Sequence, residues 1–351
     1  MVDIVKVLVP AILTFVVGVS LAPFWISILN KYKVWKKRGG KVAMDGTEAV
    51  EFNKLHADNE TKVPRMGGLI IWLSVFIVVM FIWFVSKIWP TAGTIKMDFL
   101  SRSQTWIPLF ALAVGGVVGF FSDLLDICPK QRELKFYWRL LVVALASGFL
   151  GWWFYDKLDI SAISIPFDGY LELGILIVPF FVILSLVLYS SGIIDGIDGL
   201  SGGVFMFIFL AYSAIAMTQH QIDLAALSAS IAGALAAFLW YNIPPARFYM
   251  TETGSMALTL TIATIAFMTD KMGDGVGLSV LPVVGALLFI TVASAGFQVL
   301  SKKFLGRKIF KIAPVHHHFE AIGWPSYKVT MRYWLLAIIF AFVGVLLSLT
   351  A

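Results

Sequence analysis

Four short segments carry side chains whose types and spacing suit phosphate or metal chemistry. They are Ser122 to Asp126, Asp195 to Gly199, Asn242 to Ser255 and Ala313 to Glu320. Between them they supply carboxylates, hydroxyls, amides and imidazoles. Carboxylates are typical ligands of magnesium, and imidazoles act as acid, base or metal ligand.

Asp195 and Asp198 lie three residues apart, and each is followed by glycine. On a helical turn this spacing puts both carboxylates on one face, and glycine lets a ligand approach the backbone closely. Asp-Gly is also a common turn, and Asp is a good helix cap. Because Asp-Gly occurs twice in an otherwise apolar region, the pattern favours a ligand site.

Asp123 and Glu252 each stand next to a long apolar stretch. A carboxylate at a membrane boundary costs less than one at mid-bilayer, so Asp123 alone is compatible with solvation of a helix end. Glu252 precedes an apolar stretch, and negative charge stabilises a helix N-terminus. Nearby Phe248 and Tyr249 suit either an interfacial aromatic belt or a platform for a flat base.

His316, His317 and His318 are consecutive, so they cannot all face the same way along a regular helix. A metal cluster is one explanation. The other is donation to phosphate oxygens, because imidazoles can donate and nearby lysines favour an anion. The segment indicates chemistry rather than packing.

The composition indicates the elements that hold these segments. Hydrophobic residues make up 59% of the 351 and charged residues 14%, with a mean hydropathy of +0.88, whereas soluble domains have about 25% charged residues. We therefore expect an all-α polytopic membrane protein, a single integral membrane domain over 1–351. About ten apolar stretches approach the roughly 20 residues that a bilayer requires: 4–29, 67–89, 104–125, 137–155, 173–191, 199–217, 224–241, 254–269, 277–297 and 333–350.

The basic residues predict the orientation of these stretches. With both termini outside, 21 of the 27 Lys and Arg residues fall on the cytoplasmic side, as the positive-inside rule requires. This explains the net charge of +6 without a nucleic-acid partner. All four polar segments then face the cytoplasm.

The segments together resemble the phospho-N-acetylmuramoyl-pentapeptide transferases, a family of the polyprenyl-phosphate N-acetylhexosamine-1-phosphate transferase superfamily. Ala313 to Glu320 resembles A-P-[IV]-H-H-H-F-E, and Asp195 to Leu200 resembles D-G-L-D-G-L. Asn242 to Ser255 follows N-A-x-P-A-x-x-F-M-G-D-x-G-S, Pro64 to Gly68 is similar to P-T-M-G-G, and Ser294 to Val299 resembles S-x-x-x-Q-V. The resemblance covers essentially the whole chain.

This resemblance implies ten spans in a bacterial inner membrane and a Mg²⁺-dependent reaction in peptidoglycan biosynthesis, and hence a part in cell shape and division. UDP-MurNAc-pentapeptide would donate its phospho-sugar to undecaprenyl phosphate, releasing UMP and forming lipid I. Homodimers are usual in the family. The residues it assigns are catalytic Ser122, Asp123, Glu252 and His316, with Asp123 and Glu252 also at the metal, and substrate-binding Lys62, Asp195, Asp198, Asn242, Tyr249, Gln298, His317 and His318.

The chain departs from the family pattern at three places. The D-D-x-x-K of the third span is Ser122-Asp123 here, with Asp126 in place of the lysine. Glu252 replaces the aspartate of M-G-D, and Gly192 replaces an asparagine. Since magnesium takes one or two carboxylates plus waters and substrate phosphates, Asp123 and Glu252 could still provide them.

Other functions remain open on the sequence alone. The departures are also compatible with a protein that binds nucleotide sugar or lipid phosphate without turnover, and the superfamily includes related sugar-1-phosphate transferases. A transporter or channel is disfavoured, because the spans carry no charged residue near their middle.

Overall fold

The computed structural model describes residues 2–36, 40, 53, 61–101, 103–127, 136–270 and 275–350, and most of these are helical. Several lysines and arginines that set the predicted orientation, within 37–60 and 128–135, lie outside the described residues. The helices are α1 Val2–Lys31, α2 Leu69–Ile88, α3 Ala92–Met97, α4 Trp106–Ile127, α5 Phe136–Leu158, α6 Ile177–Ser190, α7 Leu200–Thr218, α8 Ile222–Asn242, α9 Thr251–Met268, α10 Leu281–Val284, α11 Ala286–Leu305, α12 Val315–Ala321 and α13 Ser326–Thr350.

The all-α membrane fold is confirmed. Within the described ranges, nine helices are long and apolar enough to cross a bilayer: α1, α2, α4, α5, α6 with its flanking 3₁₀ turns, α7, α8, α11 and α13. Two short antiparallel strands, β1 Ala162–Ile165 and β2 Gly169–Glu172, form a hairpin between α5 and α6. The sequence analysis did not predict this hairpin.

The eighth predicted stretch, 254–269, falls in α9, which is not among these nine helices. Its residues from Thr253 to Met268 are all buried, so other helices surround it in place of lipid. The hydroxyls of Thr259, Thr261 and Thr264 donate to carbonyls four residues earlier in the same helix. Threonine is therefore tolerated here without any partner outside the helix.

The ninth predicted stretch, 277–297, begins too early. The structure has the single-turn helix α10 there, a break at Gly285, and then α11, which continues to Leu305. Pro282 lies in the first turn of α10, where a missing N–H is tolerated. The apolar run alone does not show this interruption.

Helices α7, α8 and α9 form the centre of the bundle. Helix α1 packs along α8, α13 along α7, and α4 along α9. Helices α4 and α8 end where α7 and α9 begin, and we call this the site end. At the opposite end the buried carboxylate of Asp270 accepts the backbone N–H groups of Ser164 in β1 and of Leu278.

Helices α4 and α9 approach closely at the site end because α4 carries glycine at the contact. A Cβ atom on Gly119 would overlap the backbone carbonyl of Glu252, and one on Gly115 would lie 2.7 Å from the Cα of Ala257. Glycines one turn apart therefore let the two backbones meet. This contact fixes the depth of Glu252 relative to the end of α4.

We predict that Gly119→Ala destabilises the protein by about 1–3 kcal/mol or more, because the methyl group meets backbone that cannot move away cheaply. Thermal unfolding of the purified protein in detergent measures the effect. Gly296→Ala in α11 is the matched control, because a Cβ there meets nothing within 4 Å. Equal unfolding temperatures for the two variants would contradict the close contact of α4 and α9.

Candidate functional site

Asp123, near the end of α4, is a fully buried carboxylate. Its Oδ2 atom accepts the hydroxyl of Thr251 at 2.5 Å, and the N–H and hydroxyl of Thr253 at 2.8 and 2.6 Å. Its Oδ1 atom accepts Nη2 of Arg65 at 3.0 Å. A carboxylate oxygen has about two acceptor positions, so the three donors saturate Oδ2, whereas Oδ1 accepts Arg65 alone.

Thr251 joins three segments of the site. Its φ of 56° lies in the left-handed region, which is unusual for a β-branched residue. Its N–H donates to Oδ2 of Asp195 at 2.8 Å, and its hydroxyl oxygen accepts the N–H of Met66 at 3.1 Å. These bonds hold the turn before α9 against the end of α4, the segment before α2 and the segment before α7.

Five charged side chains of alternating sign continue from Asp123, in the order Asp123, Arg65, Asp126, Arg139 and Glu252. Nη2 of Arg65 also lies 3.6 Å from Oδ2 of Asp126, whose two oxygens accept Nη2 of Arg139 at 2.6 and 2.8 Å. Nη1 of Arg139 donates to Oε1 of Glu252 at 3.2 Å. We call these five residues the charge chain, and its formal net charge is −1.

The surroundings shift the pKa of both Arg65 and Glu252. Burial disfavours the charge of Arg65, but the carboxylates of Asp123 and Asp126 hold its pKa above the ordinary value. Glu252 lies in the first turn of α9, outside the nine apolar spans. Burial raises its pKa to about 7, although Arg139 acts in the opposite direction.

Glu252 fits a metal ion better than Asp123 does. Its Oε2 atom is buried and makes no hydrogen bond of ordinary geometry, although the hydroxyl of Tyr189 interacts with the same carboxylate. A single carboxylate with waters and substrate phosphates suffices for magnesium. In Asp123 the Oδ2 atom is saturated by Thr251 and Thr253, and Oδ1 is paired with Arg65. The described residues contain no cluster of three or more His, Cys, Asp or Glu side chains suited to a metal ion, so magnesium stays a prediction.

Ser122, the other predicted catalytic residue on α4, is buried beside Asp123. Its hydroxyl has no hydrogen-bond partner in the described part of the chain. Such a group needs a partner, water or ligand.

The predicted nucleotide residues shape the connections at the site end. Asp195 accepts the hydroxyl of Ser201 at 2.7 Å as well as Thr251, and Asp198 accepts the N–H of Ala246 at 3.0 Å. The buried Asn242 accepts the N–H of Gly199 at 2.9 Å and donates to the carbonyl of Phe248 at 2.8 Å. All three residues therefore fix backbone segments around the site.

His316 and His317 are buried in α12, and their ring centroids are 4.4 Å apart. Nδ1 of His317 pairs with Oε2 of Glu320 at 2.7 Å, and the other oxygen of Glu320 accepts the hydroxyl of Ser326 at 2.6 Å. Glu320 therefore orients the imidazole of His317, as second ligands of functional histidines do.

The histidine helix meets the Asp195 segment at Gly196. A Cβ atom on Gly196 would overlap Nε2 of His317 and would lie 3.2 Å from Nε2 of His316. Since Asp195 contacts Thr251, which contacts Asp123, the described structure connects the histidines to the charge chain through these contacts. The other three polar segments and α12 thus lie together at one end of the bundle.

His318 points away from its two neighbours. Its Nδ1 atom accepts the N–H of Lys311 at 3.2 Å, and its ring contacts Phe310. Gln298 on α11 donates to the carbonyl of Phe310 and accepts the N–H groups of Ile309 and Phe310. Gln298 thereby holds the segment on which His318 packs.

Tyr249 and Lys62 lie at the edge of the site. The backbone of Tyr249 bonds to Pro64 and Gly67, which places it beside the segment that carries Arg65. Lys62 is exposed, three residues before Arg65.

The sequence motifs do not identify Arg65, Arg139 and Thr251 as residues of the site. In the sequence the two arginines are only charges that orient the chain, and Asp126 is only a departure from a pattern. A signal existed for Thr251, because it occupies the glycine of M-G-D in the pattern that Asn242 to Ser255 follows. Glycine is the residue expected at a positive φ.

Comparison with known proteins places the chain among bacterial transferases. The profile described as glycosyl transferase family 4 matches residues 105–270. Relatives described as phospho-N-acetylmuramoyl-pentapeptide-transferase include one from Anoxybacillus flavithermus, 31% identical over 97% of both chains. Others are from Clostridium perfringens, 32% identical over 97% of this chain and 98% of the relative, and from Latilactobacillus sakei, 33% identical over 95% of both.

We predict that Thr253→Val lowers the free energy of unfolding by about 1–3 kcal/mol, because valine keeps the shape but leaves the buried Asp123 short of one donor. Thr259→Val is the matched control on the same helix, since its hydroxyl serves only carbonyls of α9. We expect the control to cost under about 1 kcal/mol. Equal losses in thermal unfolding would show that the Thr253 hydroxyl does not support Asp123.

Proposed function

The chain belongs to the phospho-N-acetylmuramoyl-pentapeptide-transferase family. On that premise we propose that it transfers phospho-N-acetylmuramoyl-pentapeptide from its UDP-linked donor, UDP-MurNAc-pentapeptide, to undecaprenyl phosphate. An oxygen of the lipid phosphate forms a bond to the phosphorus that carries the sugar. The bond from that phosphorus to the oxygen shared with UMP breaks, and UMP leaves with the electron pair. The product is the first lipid-linked precursor of peptidoglycan.

The observation that carries the proposal is the convergence of the family's polar segments at the site end. Thr251 connects Asp123 to Asp195, and Gly196 lies against His316 and His317. Glu252 lies at the start of α9, next to Gly119 of α4. Residues that are far apart in sequence thus form one site beside the apolar helices, where a lipid phosphate and a soluble nucleotide can meet.

The chemistry needs orientation and charge more than a general base. The second pKa of a phosphate monoester is about 6, so at neutral pH the lipid phosphate is already largely ionised. Fixed donors and charges that meet the developing phosphate charges provide most of the acceleration in such reactions. The oriented His317 is a donor of this kind, and the charge chain, with its net charge of −1, would hold the cation that meets the phosphates.

We assign the remaining predicted residues to substrate binding. Tyr249 stacks on uracil, Lys62 and the histidines bind phosphates, and the segments held by Asp195, Asp198, Asn242 and Gln298 shape the nucleotide site. His316 is close enough to His317 to act on the same phosphate group.

We propose that magnesium binds at Glu252, because its buried Oε2 makes no hydrogen bond of ordinary geometry. When bound, the ion would neutralise phosphate charge as it develops. Asp123 contributes instead by holding Thr251, Thr253 and Arg65 in place around Glu252.

The proposed setting is a bacterial inner membrane. The apolar helices lie in the bilayer, the site end faces the cytoplasm where UDP-MurNAc-pentapeptide is made available, and the protein can form homodimers. Participation in peptidoglycan synthesis connects it to cell shape and to division in the cell cycle.

A second candidate is a protein that binds nucleotide sugar or lipid phosphate without turnover. The full engagement of Asp123 by protein donors favours it. Retained uridine nucleotide binding without UMP release would select this candidate.

We predict that the purified protein releases UMP from UDP-MurNAc-pentapeptide in the presence of Mg²⁺ and undecaprenyl phosphate, and does so poorly from UDP-GlcNAc. Glu252→Gln should lower the rate by about a hundredfold or more, because a neutral amide is a much weaker ligand for the Mg²⁺ that would neutralise the reacting phosphates. Radiolabelled transfer to lipid measures both rates.

Asp223→Asn is the control for this experiment, since Asp223 pairs with Lys6 at the opposite end, and it should leave the rate unchanged. No UMP release by the natural chain, together with release by a Ser122→Asp, Glu252→Asp variant, would contradict the proposed activity.

We also predict that Gly196→Ala weakens binding of the UDP donor about tenfold, because its methyl group displaces His317. Calorimetric titration of the detergent-solubilised protein measures the affinity. Gly148→Ala is a suitable control, as a Cβ there makes only an ordinary contact at 3.8 Å with Val182. Unchanged affinity for Gly196→Ala would remove His317 from the donor site.

A further inference from the structure

Several positions at which the chain differs from the family pattern lie close together in space. Arg65 stands at the threonine of P-T-M-G-G, Ser122 at the first aspartate of D-D-x-x-K and Asp126 at its lysine. Thr251 and Glu252 stand at the glycine and aspartate of M-G-D. Four of these five residues belong to the charge chain or donate to Asp123, and Ser122 is its neighbour.

A lysine at position 126 does not suit this structure. Oδ2 of Asp126 lies 3.6 Å from Arg65, and both of its oxygens accept Arg139. A lysine there would bring three cations together in a largely buried place, and like charges at such distances repel strongly. Asp126 is therefore the residue that lets Arg65 and Arg139 lie side by side.

The exchanges also conserve charge. Positions 65, 122, 123 and 126 read Thr, Asp, Asp and Lys in the family pattern and Arg, Ser, Asp and Asp here. Both sets have a formal charge of −1. The positive charge has moved from α4 to the segment before α2, and one negative charge has moved one turn along α4.

Arg139 connects this rearrangement to Glu252. It holds Asp126 through Nη2 and Oε1 of Glu252 through Nη1, so the direction of the longer glutamate side chain depends on Asp126. The other oxygen of Glu252 makes no hydrogen bond of ordinary geometry, and the Tyr189 hydroxyl is its neighbour on the carboxylate. Arginine suits this bridge because its planar guanidinium presents several donors in a fixed geometry.

We propose that Arg65, Asp126 and Arg139 are positioning residues that hold Glu252 and Asp123 in working geometry, and that the exchanges at positions 65, 122 and 126 compensate one another. The inference rests on the transferase function proposed above. It assigns a role to the sites where the chain departs from its family.

The test compares three changes made in the full chain: Asp126→Lys, Arg65→Thr, and the triple change Arg65→Thr, Ser122→Asp, Asp126→Lys that restores the family pattern. Each single change should lower kcat for UMP release by about ten- to a hundredfold, since displacements near 1 Å have such effects. In Asp126→Lys the KM for the UDP donor should change less than about threefold, because Asp126 contacts Arg65 and Arg139 rather than the residues assigned to the nucleotide. The triple change should recover at least tenfold of the kcat lost in Asp126→Lys.

Asp223→Lys is the matched charge reversal, because it places a lysine beside Lys6 at the opposite end. It should leave kcat unchanged, and thermal unfolding of every variant separates lost activity from lost fold. Asp126→Asn removes the carboxylate without adding a cation, and it should also lower kcat.

Three outcomes would overturn the inference. Asp126→Lys with the natural kcat would show that the chain does not position Glu252, while the proposed function would stand. A triple variant no better than Asp126→Lys would show that the exchanges do not compensate. A natural chain without UMP release would overturn the proposed function and this inference together.

Discussion

The site depends on the cost of burying one carboxylate. Asp123 is fully enclosed at the end of α4, and an ionised carboxylate is stable there only if donors or cations replace its water. Those donors come from the segment before α2 and from the start of α9. The hydrogen bonds to Asp123 therefore hold the segment before α2 and the start of α9 together, although they lie more than a hundred residues apart in the sequence.

The same constraint extends along the charge chain. Arg65 satisfies Asp123 but is itself largely buried, so it requires Asp126, and Asp126 in turn accepts Arg139. The alternation ends at Glu252, whose buried Oε2 makes no hydrogen bond of ordinary geometry and whose carboxylate has the Tyr189 hydroxyl beside it. A chain of net charge −1 that ends in such an oxygen attracts a cation or a proton, which agrees with the raised pKa of Glu252. The location of the reactive group thus follows from how the preceding charges are neutralised.

Apolar runs were enough to predict most helices, because about 20 apolar residues have few alternatives to a membrane span. They failed where packing inside the bundle determines which residues a helix tolerates and where it begins. Helix α9 tolerates threonines because their hydroxyls bond within the helix, and α11 begins late because of the break at Gly285. For the site, the motifs identified Asp123, Glu252 and the histidines. They did not identify Arg65 and Arg139, since a count of loop charges does not show which cation faces which carboxylate, and Thr251 acquires its role only from its backbone conformation.

The arrangement of polar groups also bears on the alternative of a transporter. A path across the membrane needs polar groups at intermediate depth. In α9, the most enclosed long helix, the hydroxyls of Thr259, Thr261 and Thr264 are committed to carbonyls of their own helix. The buried carboxylate at the far end, Asp270, is held by backbone N–H groups of β1 and of Leu278. The buried charged side chains of the described residues thus lie at the two ends, and the core between them contributes hydroxyls but no charge. This separation suits the proposed transfer at the site end better than a path across the membrane.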